Sequence, residues 1–597
     1  MSMIINKMAP LLQLALQYET LLTDELKESF IVDKTQNLWE LVMEYEGDLE
    51  RLRTDYELEA VYNLQGGFAQ IILRKDQIGN LSNDPYALRL SLPTVMQYID
   101  IGVGQICGSN LEQSMDGNSL DGAGVLLGII DSGIRYNHPD FITDEGTTRI
   151  AYLWDQTIGN TDNQIGRDGT IYTSEQINEA LRNSEINQQL MVVPSQDTLG
   201  HGTALAGVAA GNGRGSANRQ NRGVAPGCEM VIVKVGHSER NYPRDIDIMR
   251  GIDFVIEKAV ELERPMTILL GVGSNLEGHD GSAPLERYIT RRYENWLLNF
   301  VVGTGNEGNK NTHTSGNLVT GQSQSIQISI EAPELREYGC CIWKKFSDVM
   351  SLVIQSPSGE ETDELSLLTP NRAYLFDEVA VLINYSAPIT SINQQVIYIL
   401  FQAQGDTGIG SGLWTLTLTG TEIIEGNYHV WGTILTERQA SRVRFLSPDV
   451  NQTLTIPSTA YAITKVGAYN GNTIQVANFS GRGFTADGRV APDLVAPGVN
   501  ITAPAISAET LYTTITGTSV AAAFVAGAFI LLMEYGVYVL DDPNYYGEEL
   551  RIYLLRTAQR PSSFAPYPNS SWGYGLICIR AALTYMKEMA ENSDGRG

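Results

Sequence analysis

Asp131, His201 and Ser519 are the residues of this chain whose types and surroundings could together break an acyl bond. Asp131 follows the apolar run Val125-Leu-Leu-Gly-Ile-Ile130 and precedes Ser132-Gly133, which puts it at the carboxyl end of a strand, where doubly wound sheets hold their ligands. His201 stands in Gly200-His-Gly-Thr203, ahead of the small-residue run Ala204-Leu-Ala-Gly-Val-Ala-Ala210. Ser519 stands in Gly517-Thr-Ser519 and opens Val520-Ala-Ala-Ala-Phe-Val-Ala-Gly527. Singly, each has a plain structural reading: a strand-end aspartate caps a turn, a helix-start histidine packs in a core, and a helix-start serine is an N-cap. In the order Asp, His, Ser on one sheet they supply a hydrolytic relay. Serine is a weak nucleophile at neutral pH and needs a base within hydrogen-bond reach; the base needs a carboxylate to hold its tautomer. The oxyanion that forms needs a donor already in place, and Asn306 in Gly305-Asn-Glu-Gly308, directly after Phe300-Val-Val302, offers one.

Positioning these groups takes an α/β frame. Glu229-Met-Val-Ile-Val-Lys-Val235, Met266-Thr-Ile-Leu-Leu270 and Phe300-Val-Val302 read as buried strands, with helices from Ile246 to Leu262 and from Leu285 to Leu297 between them. This alternation predicts a doubly wound, mainly parallel sheet. Thr148-Arg-Ile-Ala-Tyr-Leu-Trp-Asp155 is expected as an added hairpin. The first 97 residues, helix-prone and then carrying the strand-like Phe68-Ala-Gln-Ile-Ile-Leu-Arg74, form a small α+β unit. Between about Thr314 and Thr453 the helical pattern stops. Six short alternating runs, at Ser325 to Ile330, Met350 to Gln355, Val379 to Asn384, Val396 to Phe401, Leu413 to Leu418 and Tyr428 to Trp431, predict an inserted all-β sandwich. The α/β texture resumes at Ala462 to Ala468 and closes on a long apolar helix from Ser519 to about Glu534.

With 41 Lys and Arg against 69 Asp and Glu, the net charge of −28 repels nucleic acid and anionic membranes, so neither is expected as a partner. At 43% hydrophobic residues the chain has enough apolar area for real cores. Five cysteines without a CxxC pair argue against a disulfide framework or a zinc site. The apolar stretch from Met8 to Leu16 lacks the flanks of a signal peptide, and no long uninterrupted apolar run predicts a membrane span.

Asp131-Ser-Gly-Ile134 with His138-Pro-Asp-Phe141, Gly200-His-Gly-Thr203, Gly305-Asn-Glu-Gly308 and Gly517-Thr-Ser519 resemble, in order, the four signature segments of the subtilisin-like serine peptidases, the S8-type subtilases. Gly223-Val-Ala-Pro226, Val466-Gly-Ala468, Phe479-Ser-Gly-Arg-Gly483 and Ala491-Pro-Asp-Leu-Val-Ala-Pro-Gly498 are similar to lesser family segments. The serine motif continues with Ala523-Phe524 where the family usually has Pro-His, which removes no catalytic group. With its leading α+β unit, β insertion and Ile456-Pro457, the chain looks most like the Csp-type germination proteases of clostridia.

The resemblance implies a prodomain at 1–97, a catalytic domain in two parts at 98–314 and 453–597, and a jelly-roll-like insertion at 315–452. It implies a serine endopeptidase with Asp131, His201 and Ser519 catalytic and Asn306 at the oxyanion. Extended substrate would pair with Gly271-Val272-Gly273 and, across the cleft, with the segment around Gly236. Val302-Gly303-Thr304 would wall the first specificity pocket and Thr455 would sit at its floor. Self-cleavage is expected near Gln97, aided by aligning Gly102-Val-Gly-Gln-Ile106 with the family's early mature sequence, and the prodomain would stay bound. No cofactor is implied. The loop Gly211-Asn-Gly-Arg-Gly-Ser216 does not resemble the family's calcium loop, so no metal is expected. Partners would be a protein or peptide substrate and the chain's own prodomain, in the cytoplasm or spore of a bacterium. The alternative is a non-catalytic regulator on the same fold.

Overall fold

The computed structural model describes residues 7–98, 119–159, 169–236, 242–293, 297–388, 393–405, 408–507 and 510–594, which gather into two compact units. One unit comprises Met96–Gly273, His279–Gly308 and Thr453–Gly597 and carries all three relay residues. Its strands run in the order Gln475–Val476, Thr464–Asn470, Leu298–Gly303, Met266–Leu270, Leu126–Asp131, Glu229–Lys234, Ile150–Asp155 and Thr170–Thr173, and Leu494–Pro497 also pairs with Thr464–Asn470. Among the described residues of this nine-stranded sheet the pairings are parallel from Ile150–Asp155 across to Leu494–Pro497 and antiparallel at Thr170–Thr173 and Gln475–Val476. The inner strands Leu126–Asp131, Met266–Leu270 and Leu298–Gly303 are buried at every position, as expected of unbroken apolar runs covered on both faces.

The expected hairpin at Thr148–Asp155 is present as the antiparallel pair of Ile150–Asp155 with Thr170–Thr173, but it is part of the main sheet. Ile150–Asp155 runs in parallel register with Glu229–Lys234. Its Trp154 packs on Phe254 of the helix Asp245–Glu261, 5.0 Å between ring centroids, so apolar burial draws the segment into the sheet. The expected second helix is Pro284–Tyr293, and 294–296 lie outside the described residues.

The helices His201–Ala210 and Thr518–Met533 are buried along their whole lengths. They share a core with Leu127, Ile129, Val301 and Val466 of the strands. Ala and Gly make up most of His201–Ala210 and cluster at Ala521–Ala523 and Ala526–Ala528 of the second helix, and such small side chains let helix backbones lie close to the sheet. The stretch Thr518–Val539 is long and apolar enough to cross a membrane by length and composition, yet 94% of its most apolar window is buried inside this fold. It is a core helix that presents Ser519 from its first turn.

The other unit comprises Met1–Val95, Ser274–Gly278 and Asn309–Gln452. Its N-terminal part is α+β as expected: Ile31–Asp33, Leu38–Tyr45, Phe68–Arg74 and Ala60–Asn63 form an antiparallel sheet, with Ala87–Ser91 also on Leu38–Tyr45. Residues 313–445 build two antiparallel sheets. The larger runs His313–Asn317, Asn427–Gly432, Glu337–Lys345, Gln394–Ala403, Val379–Tyr385, Asn371–Phe376; the smaller runs Val349–Gln355, Gly412–Glu422, Ser323–Ile330, Val443–Phe445. They enclose one core in which Phe401 meets Trp414 edge-on at 4.9 Å. Within this unit the N-terminal segment is tied to the larger sheet: the Thr23 N–H donates to Gln402 Oε1 (2.6 Å) and Asn384 Nδ2 donates to Gln13 Oε1 (3.1 Å).

Cys340 and Cys341 are separate free thiols, with Cys340 in the sandwich core. Cys578 is disulfide-bonded, which corrects the expectation that the cysteines form no disulfide. Cys107 and the early mature segment 102–106 lie outside the described residues.

Candidate active site

Asp131 is the last residue of its strand, and its Oδ1 accepts the Ser132 N–H at 2.7 Å. The Ser132 hydroxyl accepts the Gly202 N–H (2.9 Å) and donates to Asp197 Oδ1 (2.9 Å), which joins the strand end to the start of the His201 helix. Gly202 is required by this approach, because a Cβ there would come within 2.2 Å of the Gly133 carbonyl oxygen. His201 Nδ1 lies 2.7 and 2.9 Å from the two Asp131 oxygens, and Nε2 lies 3.0 Å from Ser519 Oγ. A carboxylate can only accept, so Nδ1 carries the hydrogen and Nε2 presents a lone pair to the serine hydroxyl. Asp131 and Ser519 are wholly buried and His201 is 2% exposed, so the chain of hydrogen bonds runs out of bulk water.

Asp197 was not foreseen. Its two oxygens accept from Ser132 Oγ, Leu199 N, Gly200 N, Thr203 N and Thr203 Oγ1 at 2.7 to 3.1 Å, fixing the first turn that carries His201. Its place four residues before the histidine, ahead of a helix, was the available signal.

Asn306 follows the strand Leu298–Gly303 and is anchored through Oδ1, which accepts from Thr518 N (3.1 Å) and Thr518 Oγ1 (3.2 Å). A backbone N–H can only donate, so the atom it meets is the amide oxygen and the NH2 group is the donor end. Gly303 lies against the Thr518–Ser519 peptide, where a side chain would come within 2.7 Å of the Ser519 nitrogen.

Val272 and Gly273 form an antiparallel pair with Tyr98 and Gln97, so the chain ahead of the expected cut occupies the expected substrate edge. The Met96 N–H donates to the Pro243 carbonyl (2.8 Å). Gly236 N–H donates to Gln156 Oε1 (3.3 Å), and residues 237–241 beyond it lie outside the described ones. Thr455 N–H donates to the Thr304 carbonyl (3.0 Å), the Thr455 side chain lies against Gly305, and both Thr side chains are buried with no hydrogen-bond partner for either Oγ1 among the described residues.

Gly271 touches the relay itself: a Cβ there would stand 1.9 Å from Asp131 Oδ2 and 2.9 Å from His201 Cε1. Gly271→Ala is therefore expected to displace the carboxylate–imidazole pair and lower peptide turnover by ~10²-fold or more, the scale of an ångström-sized misplacement. Steady-state kinetics check this, with unchanged circular dichroism as the folding control; wild-type turnover would mean the relay tolerates that shift.

The other described histidines are structural. His138 Nε2 meets the Leu511 carbonyl, His279 Nδ1 meets the Leu454 carbonyl, and His313 stacks on His429 and Trp431. Burial pushes His429 down to about 4, with Asp449 opposing. His237 lies outside the described residues. Among the described residues no group of three or more His, Cys, Asp or Glu side chains is arranged to hold a metal ion.

The profile of the Subtilase family matches residues 122–329 and 426–575, over half of the chain. The chain belongs to the subtilase family. The profile of the Csp protease B prodomain matches residues 6–93 of this subtilase. The solved structure of the Clostridium perfringens CspB protease is 31% identical to it, covering 81% of this chain and 96% of that one, with a TM-score of 0.73. The Subtilisin-like protease SBT1.9 of Arabidopsis thaliana is 29% identical over 24% of this chain and 20% of that protein. The Major intracellular serine protease of Bacillus subtilis is 25% identical over 33% and 47%. The subtilase thus spans a fifth and about half of the length of these two relatives.

Proposed function

We propose that this subtilase is a serine endopeptidase that also cuts its own prodomain. Ser519 Oγ attacks the peptide carbonyl while His201 Nε2 takes its proton and returns it to the leaving amine. Asp131 holds the imidazole tautomer and stabilises the imidazolium. The Asn306 NH2 and the Ser519 backbone N–H donate to the oxyanion. The observation that carries this reading is the unbroken chain from Asp131 through His201 to Ser519, at 2.7 and 3.0 Å. A fluorophosphonate probe tests it, because only an assembled relay activates a serine. Labelling of wild type at Ser519 and none of His201→Ala is expected; an unlabelled wild type would favour a non-catalytic regulator.

Pairing of Gln97–Tyr98 with Val272–Gly273 supports self-cleavage within a few residues of Gln97, with 1–97 as prodomain and 98–314 and 453–597 as the catalytic domain. The insertion, 315–452, is taken as a jelly-roll domain. By resemblance to the Csp-type subtilases, the physiological act is activation of another protein by limited proteolysis during germination, in the cytoplasm or the spore. Thr455 at the floor of the first pocket favours a medium-sized side chain there. Thr455→Gly is expected to raise kcat/KM on peptides with an aromatic residue before the cut by roughly tenfold relative to those with a medium one; an unchanged ratio in paired substrate assays would remove Thr455 from the pocket.

A further inference from the structure

Beside the strand Thr464–Asn470 and the helix Gly547–Thr557 lies a pocket of about 620 Å³ that contains none of the relay residues. Its charge is opposite to that of the chain. In a protein of net charge −28 its lining carries Lys465, Arg489, Arg551, Arg556 and Arg560 against only two carboxylates, Asp493 and Glu548. Most of these charges are matched. Asp493, wholly buried, takes Arg551 at 2.6 Å and stands 3.7 Å from Lys465. Glu548 takes the other arm of Arg551 at 2.7 Å, and Arg489 is paired with Asp487 at 2.7 Å.

Arg556 and Arg560 have no carboxylate within ion-pair distance among the described residues. They are oriented by uncharged groups instead. Arg560 Nε donates to the Tyr574 carbonyl (2.9 Å) and its Nη2 to the Leu555 carbonyl (2.8 Å), while the Arg556 guanidinium lies over the Tyr585 ring at 5.4 Å. Guanidiniums held in place without their charge being neutralised are what a bidentate oxyanion site requires. The rest of the lining is not built for a bare ion: Tyr461, Val490, Ile552 and Leu555 offer ring and aliphatic surface, and the volume is that of a cleft for a small organic molecule. Two unmatched guanidiniums balance a phosphate monoester, which carries a charge of about −2 near neutral pH, better than a single carboxylate.

We propose that this pocket binds a small organic phosphate, its phosphate held by Arg556 and Arg560 and its organic part lying against Tyr461, Ile552 and Leu555. The inference is independent of the peptidase reading, since no relay residue takes part.

Calorimetric titration of the full chain with phenyl phosphate, inorganic phosphate and benzoate, at matched physiological ionic strength, tests it. Phenyl phosphate is expected to bind more tightly than the other two. Arg556→Gln and Arg560→Gln should each weaken it by about tenfold and together abolish it, with lysine at either position restoring part, while peptide turnover without ligand stays at the wild-type level. Ile552→Trp, which fills the organic part of the pocket from a half-exposed position, should block phenyl phosphate even if the arginine variants fold poorly. Equal binding of inorganic and phenyl phosphate would reveal an adventitious ion only. That outcome, or undiminished binding in the double arginine variant or in Ile552→Trp, overturns the proposal.

Discussion

Ser519→Ala protein is expected to accumulate as a folded, uncut, full-length chain, while the wild type separates into a piece the size of residues 1–97 and the remainder. Loss of Oγ removes the nucleophile but leaves the backbone pairing of Gln97 and Tyr98 with Gly273 and Val272 in place. The junction should therefore stay seated and intact. Turnover on added peptides should fall by ~10⁶, the size measured for the nucleophile of a subtilisin and carried over from that relative. Denaturing gels and N-terminal sequencing of both proteins read the result. Identical processing of the two would mean that another peptidase makes the cut.

Asn306→Ala should lower kcat by ~10²–10³ with little change in KM, a magnitude again known from a subtilisin and borrowed here. The amide acts on charge that exists only in the transition state, so ground-state affinity has no reason to change. Because Oδ1 also accepts from the Thr518 N–H and hydroxyl, the comparison needs a second variant. Asn306→Asp keeps those acceptors and replaces the NH2 by an oxygen; it should be at least as slow as the alanine variant. If either variant turns over normally but binds weakly, Asn306 is a substrate contact and the oxyanion is held elsewhere.

The sequence was most readable where burial is uniform and local. Met266–Leu270 and Phe68–Arg74 begin and end at the residues their apolar runs suggested, since all or nearly all of their positions are buried and most carry apolar side chains, with Thr267 and Gln70 the buried polar exceptions. Glu337–Lys345, the long strand between Asn427–Gly432 and Gln394–Ala403, shows no alternation because seven consecutive residues of it are buried, and two cysteines and a glycine hide its apolar character. Asn371–Phe376 shows none for the opposite reason: it lies at the edge of its sheet and only Phe376 is buried. The juxtaposition of Asp131, His201 and Ser519, and the place of Asn306 beside Thr518, were legible because glycine-flanked motifs mark them. Asp197 was not, since five hydrogen bonds converging on one carboxylate come from residues up to 65 positions away. The bonded state of Cys578 was equally hidden, as no spacing rule singles it out.

His313–Asn317 and Asn427–Gly432 are adjacent antiparallel strands, with His313 opposite Trp431 and Asn317 opposite Asn427. Just beyond them the Phe445 N–H donates to the Asn311 carbonyl and the Asp449 N–H to the His313 carbonyl. The two ends of the insertion are thus zipped to each other. The polymer physics of the catalytic sheet follows from this. Leu298–Gly303 and Thr464–Asn470 must find each other across the whole insertion, and as a random coil that connection would carry the closure entropy of its full length, growing as (3/2)RT ln n. Once the insertion has zipped, the effective tether is only the residues 304–310 and 450–463 between its ends and the two strands. The last parallel pairings of the sheet can then form at the rate of a short loop, so the order of events during synthesis, with the insertion finished before Thr464–Asn470 emerges, suits the topology.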